Sequence, residues 1–306
     1  MARDPKTEIK TDLSRRMMWR DYHKITDTVF PLTMRRIFDD SSEHEKHSIG
    51  TGFGIFSYSH RCWFLVTNFH CLSGMDLDGG QIGSFFPNFV DIEFRFSTPS
   101  EREGFVLISS CKFRYRLLDG GENANFFHLA SEAESNLRGD LAILPIKMPD
   151  QVPDVGGSRI HRDHNAFGFL DSQPHINVTD ECFVVGYPRG MRGDGRVPIW
   201  KRASIASEPN NTYAGDNKFL LDTATREGMS GSPVILRKGT YKVLTEVPSR
   251  VELEHEDYLM GVYSGRIGED ELGVQLGCVW PVDLLRYLLA RIPEDPLVAE
   301  PSFVYD

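Results

Sequence analysis

The sequence of 306 residues has few cysteines, no long apolar run and no excess of basic charge. Each shortage excludes a class of protein. Five cysteines, an odd number scattered along the chain, do not make a disulfide scaffold. No apolar stretch approaches the roughly 18–20 residues that a membrane-crossing helix needs. Lys and Arg number 34 against 44 Asp and Glu, a net charge of −10, whereas a surface made to cover nucleic-acid phosphates is basic. Nucleic acid and membrane are therefore not expected partners. The opening stretch MARDPKTEIKTDLSRR mixes acids with bases and has no apolar segment behind it, unlike a secretory leader. The expectation is a soluble, cytoplasmic protein whose length allows a sizeable core without metals or disulfides.

What is present is a chain of short strands. Residues 1–28 stand apart, with seven basic and five acidic residues and little alternation. They read as an extension, with Asp12 a candidate cap for a short helix carrying Leu13 and Met17. From residue 29 the texture changes. VFPLTMRRIF, GTGFGIFSY and CWFLVTNF have the length and the β-branched and aromatic content of strands. Val90, Ile92, Phe94 and Phe96 alternate with Asp91, Glu93 and Arg95, the period-two pattern of a half-buried strand. Phe113, Tyr115 and Leu117 repeat it, and DLAILPI over 140–146 reads as a buried strand.

Residues 151–181, within a stretch rich in Pro, Gly, Asp and His, read as a linker between similar halves spanning 29–150 and 182–306. The second half restarts with CFVVGYP, WKRASIA, KFLLDTA, SPVIL, YLMGVYSG and VQLGCVW. One late segment, 281–292, reads as a helix, with Pro281 at its start and leucines along one face. The tail from Glu294 carries four acids and no base and reads as solvated, and 246–257 as a long hairpin. The fold class is all-β, a barrel or sandwich architecture.

Three short stretches carry chemistry by their order. VTNFHC places His70 just past a buried strand, RGDLAILPI places Asp140 at the head of another, and REGMSGSPV places Ser230 in a glycine-bracketed turn. Serine hydrolysis needs a nucleophile, a base to take its proton, and a carboxylate to hold that base's tautomer. It also needs backbone donors for the developing oxyanion, which the tight loop Gly228-Met229-Ser230-Gly231 could supply. The order His, Asp, Ser is that of the chymotrypsin type. Asp76, Asp78 and Asp91 are rivals for the role of Asp140, and His70 is one of ten histidines. His161, His164 and His175, with Asp163 and Asp171, invite a metal reading, but their spacing fits no zinc pattern and they read as a solvated loop.

On these stretches the sequence resembles the trypsin-like, chymotrypsin-fold serine peptidases from about residue 49 to about residue 285. GTGFGI looks like the strand before the family's histidine, VTNFHC like its Thr-x-x-His motif, and GDLAILPI like its aspartate strand. LDTATREGMSGSPV is similar to the nucleophile loop of the bacterial high-temperature-requirement and glutamyl-endopeptidase groups. GVYSGR looks like the substrate-binding strand. The resemblance implies two antiparallel six-stranded β-barrels, with His70 as general base, Asp140 as its orienter and Ser230 as nucleophile. It implies an oxyanion hole from the N–H groups of Gly228 and Ser230, and Ser264 as a support for the aspartate. Substrate would meet Ala224 and Thr225 at the primary pocket and Tyr263, Ser264, Gly265 and Arg266 on the strand. With no carboxylate at Ala224, the pocket is expected to refuse basic residues and to take a small or medium aliphatic one. An acid, through Thr225, Arg226 and Arg266, is the second option.

Two of the departures from the family bear on disulfides and on activation. Cys71 has no partner cysteine in the preceding hairpin, where Ile55 stands, so all five cysteines are expected as thiols. Met229 replaces the aspartate of zymogen-activated members, which removes their N-terminal switch. The reading is a serine endopeptidase acting on protein or peptide substrates through an acyl-enzyme, without cofactor or metal. A regulatory partner is one option for its restraint, through the extension, the 246–257 loop or the tail. The alternative is a protease-fold binding module without turnover.

Overall fold

The computed structural model describes residues 16–18, 23–38, 45–99, 105–119, 123–130, 137–164, 174–243, 251–267 and 275–305. The first half, with the extension before it and the linker after it, contains strands β1 (Arg16–Met18), β2 (Val29–Arg36), β3 (Lys46–Ser57), β4 (Cys62–Thr67), β5 (Phe89–Pro99), β6 (Phe105–Arg116), β7 (Phe127–Leu129), β8 (Gly139–Ile146) and, in the linker itself, β9 (Arg159–Ile160). The second contains β10 (Glu181–Gly186), β11 (Ile199–Ile205), β12 (Phe219–Asp222), β13 (Pro233–Val243), β14 (Val251–Arg266) and β15 (Leu276–Pro281), and a last short strand, β16 (Ser302–Val304), follows. Two α-helices accompany them, α1 (Phe69–Ser73) after β4 and α2 (Val282–Leu289) after β15. No helix among the described residues is long and apolar enough to cross a membrane.

The second half closes into a six-stranded antiparallel barrel in the order β10-β11-β12-β15-β14-β13. The first half departs from the expected second closed barrel. It is a ten-stranded sheet running β1-β6-β5-β2-β3-β4-β8-β7, with β9 added on β5 and β16 on β6. The long β5–β6 hairpin, of 11 and 12 residues, reaches past its neighbours and recruits these short strands along its free length. Pairing them satisfies backbone groups that would otherwise stand unpaired at an edge.

Two sequence expectations are corrected by those strands. Arg16–Met18, placed in a candidate helix, is extended and pairs with β6. Residues 24–28 form a short 3-10 turn in which Ile25, Thr26 and Thr28 are buried. The tail is also not simply solvated: Ser302–Val304 pairs with β6, and Phe303 packs edge-on against Phe113 at 5.3 Å. The apolar residues of the tail outweigh its acids once a sheet edge is on offer. The hairpin reading of 246–257 agrees with the β13–β14 pairing from Val243–Val251 inward, and residues 244–250 lie outside the described residues.

A further correction concerns β5. Val90, Ile92, Phe94 and Phe96 face the core as their alternation predicts. The opposite face is buried too, with Asp91, Glu93 and Arg95 at 1%, 7% and 6% exposure. Buried charges must be paired, and each of these is. Asp91 takes Arg35 at 2.5 Å and Arg114 at 2.6 Å, Glu93 takes Arg192 and Arg196, and Arg95 takes Asp27. This ionic row meets the second half of the chain.

Alongside it an apolar cluster crosses between the halves. Phe53, Phe64 and Leu141 from the first pack with Val185, Tyr187, Val262 and Trp280 from the second. Helix α2 closes this cluster: its face of Val282, Leu284, Leu285 and Leu288 is buried, with Pro281 as its N-cap. Each such side chain contributes about 1.5–3 kcal/mol on burial. The halves are thereby held with the ends of β8 and β14 and the turn after β4 together, where Asp140 meets Ser264 and His70.

Candidate active site

His70 and Asp140 come together as side chains of adjacent elements. Strand β4 ends at Thr67, and the turn of α1 lifts His70 beside β8, which pairs with β4 from Trp63–Ile146 to Thr67–Ala142. His70 Nδ1 lies 2.6 Å from Asp140 Oδ2. The backbone N–H of His70 donates to Asp140 Oδ1 at 2.9 Å, and Ser264 Oγ donates to Oδ2 at 2.5 Å. Asn68 Nδ2 holds the Asp140 carbonyl at 2.7 Å, fixing the backbone that carries the carboxylate. With the carboxylate on Nδ1, that nitrogen carries the proton in the neutral ring, and Nε2 has a lone pair to accept one.

The electrostatics follow from this arrangement. Burial alone would lower the His70 pKa, yet the Asp140 carboxylate raises it well above the ordinary imidazole value. Burial would raise Asp140, and the charge and hydrogen bond of His70, with the Ser264 bond, hold it below the usual carboxylate range. The imidazole keeps one-fifth of its surface exposed while the carboxylate keeps 9%. The imidazole is the more open of the two groups and the carboxylate the more shielded from water.

Ser230 lies in the loop between β12 and β13. Its carbonyl accepts from the Thr51 N–H at 2.9 Å. A side-chain carbon built on Gly50 would stand 3.5 Å from that carbonyl and 3.4 Å from Cys71 Sγ, which shows how closely the loop approaches the His70 turn. Among the described residues no hydrogen bond joins the Ser230 hydroxyl to His70. Such bonds tighten in enzymes when substrate arrives.

The loop's backbone is set by both halves. Thr51, fully buried on β3, donates its hydroxyl to the Gly228 carbonyl at 2.6 Å and accepts from the Tyr187 N–H at 3.1 Å. The Arg189 N–H donates to the Glu227 carbonyl at 2.6 Å. In a planar trans peptide the N–H points opposite to the preceding C=O, so the Gly228 N–H is turned away from Arg189. Neither it nor the Ser230 N–H has an acceptor among the described residues. Gly228 has φ +86, and a Cβ there would lie 2.6 Å from the Tyr187 carbonyl, so only glycine fits. The motif reading missed Thr51, whose one sequence signal is a hydroxyl between two glycines in a buried apolar strand. Met229 is fully buried in the barrel core.

The other candidate residues are placed as follows. Tyr263 is 1% exposed, hydrogen-bonded to Thr225, and its ring lies over Gly277, where a Cβ would come within 2.3 Å of it. Burial pushes its hydroxyl up to about 12, so it is neutral. Ala224 is half-buried one residue before Thr225. Ser264, Gly265 and Arg266 continue β14 through a bulge, with Gly265 opposite Cys278 and Arg266 opposite Gly277. Arg226 is exposed and folds back on the Thr225 carbonyl at 3.0 Å, away from a role inside a pocket.

The rival residues have other partners. Asp76 accepts from the N–H groups of Asp78 and Gly80, Asp78 pairs with Arg138, and Asp91 belongs to the ionic row. His164 packs on Phe56 and Trp63, His161 lies 3.5 Å from Asp27, and the His175 carbonyl takes Lys238 at 2.5 Å. No group of three metal-ligating side chains occurs among the described residues, and Asp171 lies outside them. All five cysteines are free thiols in the structure.

A closed antiparallel barrel joined to a second sheet, with a histidine and an aspartate paired at the cleft between them, is the architecture of chymotrypsin-like peptidases. The family model described as trypsin-like peptidase domain matches residues 50–241, and the chain belongs to that family. Among solved structures, an HtrA-type protease AlgW with a tripeptide is 15% identical, with a TM-score of 0.45 over 87% of this chain and 60% of its own. The chain thus spans about 60% of the length of that HtrA-type structure. The protease Anisep from Arthrobacter nicotinovorans is 13% identical (TM-score 0.43, covering 87% and 96%). Deg5 is 14% identical (TM-score 0.40, covering 86% and 88%). No match was found among curated proteins.

Proposed function

We propose that the protein is a serine endopeptidase that cleaves peptide bonds through an acyl-enzyme. The observation that carries this reading is the His70–Asp140 pair. Its carboxylate is bonded from α1 of one half and β14 of the other, and Nε2 is left as the open face of the imidazole. In the proposed reaction Ser230 Oγ attacks the scissile carbonyl while His70 Nε2 takes its proton. Asp140 holds the tautomer and stabilises the imidazolium that forms. The N–H groups of Gly228 and Ser230 receive the oxyanion, and His70 returns the proton to the leaving amine. Water then repeats the sequence to release the acid. The substrate main chain would pair with the edge of β14 at Ser264–Arg266, as an added strand.

For the primary pocket we propose a small or medium aliphatic side chain. The Tyr263 ring fills the space above Gly277, and Arg226 folds away, which supports a shallow apolar pocket over one for an acid. Free thiols throughout support a reducing compartment. The test is labelling of the purified protein with a fluorophosphonate probe: wild type should label at Ser230 and Ser230→Ala should not. Absence of labelling in folded wild type would favour a binding module.

A further inference from the structure

The loop Tyr187–Pro198 joins β10 to β11 and holds four residues in left-handed backbone: Arg189 at φ +50, Gly190 at +69, Gly195 at +72 and Arg196 at +59. For the two arginines that conformation is costly, and it persists only where surrounding contacts over-determine it. Turn hydrogen bonds supply part of the restraint, from Gly190 to Tyr187, Met191 to Pro188 and Gly193 to Val197. None of these reaches outside the loop. Beyond the loop, its start is anchored by Tyr187, which donates to Thr51 and to the Val29 carbonyl, and its later part by Arg192, whose guanidinium grips both oxygens of Glu93 on β5, with Nη2 to Oε2 at 2.6 Å. Arg196 adds a longer contact at 3.4 Å, and Ser110 donates to Glu93 at 2.5 Å from β6. Glu93 is 7% exposed, so its charge is shielded from water and the pairing is tight.

The same loop sets the oxyanion donor, because the Arg189 N–H fixes the Glu227 carbonyl and with it the direction of the Gly228 N–H. Met229, fully buried, leaves no charge beneath the nucleophile loop for an ion pair to hold. We propose that the Glu93–Arg192 pair does this work from outside: Glu93 and Arg192 are positioning residues that keep the Gly228 N–H aimed into the oxyanion hole. The clamp spans the two halves, so the hole is formed only when they are docked. The inference rests on the serine-peptidase reading.

The test compares wild type with Arg192→Ala, Arg192→Lys and Glu93→Gln. Removing an oxyanion donor costs about 10²–10³ in turnover, and a donor that is only mis-aimed should cost about 10- to 100-fold. We expect kcat to fall by that factor with KM nearly unchanged, and affinity for a peptide aldehyde, which mimics the oxyanion, to fall in parallel. Arg192→Lys keeps the charge but gives up the fork and should lie between. Hydrogen exchange should quicken in residues 186–198 and 224–231 and stay as in wild type over 62–73 and 140–146. Glu300→Gln, which breaks the exposed pair with Lys147, is the control that should change nothing. A fall in kcat with unchanged exchange at 224–231, or unchanged values of both, would overturn the clamp. If folded wild type neither labels nor turns over, the peptidase reading fails, and the exchange comparison still decides whether Arg192 holds the loop.

Discussion

Ser264 Oγ donates to Asp140 Oδ2 at 2.5 Å, so the carboxylate that orients His70 is secured by a strand of the opposite half. The site therefore belongs to neither half alone, and its parts should fail separately. Ser230→Ala and His70→Ala should each abolish nearly all hydrolysis of a casein-type substrate. Asp140→Asn should lower kcat about 10⁴-fold by favouring the wrong tautomer. Ser264→Ala, which leaves two donors on Asp140, should cost about tenfold. Wild-type activity in Ser230→Ala would sink the assignment.

The raised His70 pKa predicts the acid side of the pH profile. In the proposed mechanism His70 accepts a proton only when neutral, so kcat/KM should fall as pH drops through its pKa. With that pKa above the ordinary value of about 6.5, the half-maximal point should lie above it. The Asp140 charge is the largest influence that raises it, with Cys71 adding to it, so the residual activity of Asp140→Asn should show the limb moved to lower pH. A limb at the same pH in both enzymes would refute the coupling.

Asp257 predicts a stability effect of its own. Burial would raise its pKa, but hydrogen bonds from His23 and Arg237 bring it down to about 2, with His23 at 2.6 Å and Arg237 at 2.7 Å. An unfolded Asp titrates near 3.9, so the folded state binds the proton more weakly and gains about 2–3 kcal/mol at neutral pH. That contribution should be present above pH ~4 and disappear as pH falls toward 2. Urea titrations of wild type and Asp257→Asn should differ by this amount at pH 7 and converge in acid.

The thiols predict a simple count. Cys62, Cys71, Cys111 and Cys182 are buried and Cys278 is half-buried, all unpaired. A thiol reagent on the denatured, unreduced protein should find five, and three or one would show that bridges form.

Cleavage specificity should follow Tyr263. Profiling on a digested proteome should show small or medium aliphatic residues before the cut and few Lys or Arg. An unpaired basic side chain buried beside Ala224 would cost several kcal/mol. Tyr263→Ala should admit larger side chains such as Leu and Phe. Dominant Glu or Asp in the wild-type profile would instead support the acid option.

The alternation of Val90, Ile92, Phe94 and Phe96 makes β5 legible in the sequence, because period two has one structural meaning. The burial of Asp91, Glu93 and Arg95 is not legible there. Alternating charge shows that a face is polar, and only partners 56, 99 and 68 residues away show that it is covered. His70, Asp140 and Ser230 stand in short motifs, so the candidate triad can be read locally. Thr51 cannot, since its hydrogen bonds to Gly228 and Tyr187 span 177 and 136 residues. The open first sheet was also hidden. Arg16–Met18 and Ser302–Val304 are too short to signal strands and become strands only against β6.

That pairing has a consequence for how the chain is made. Ser302 bonds the carbonyl of Arg114 across 188 residues of sequence. During synthesis β6 emerges long before its cover does, and at roughly 5–20 residues per second it waits about ten seconds or more. Through that interval a twelve-residue strand has part of its edge bare and open to any neighbouring nascent chain. A substitution such as Phe303→Asp, which removes the packing on Phe113 that seats this cover, should lower the soluble yield even where His70 and Asp140 are unaffected.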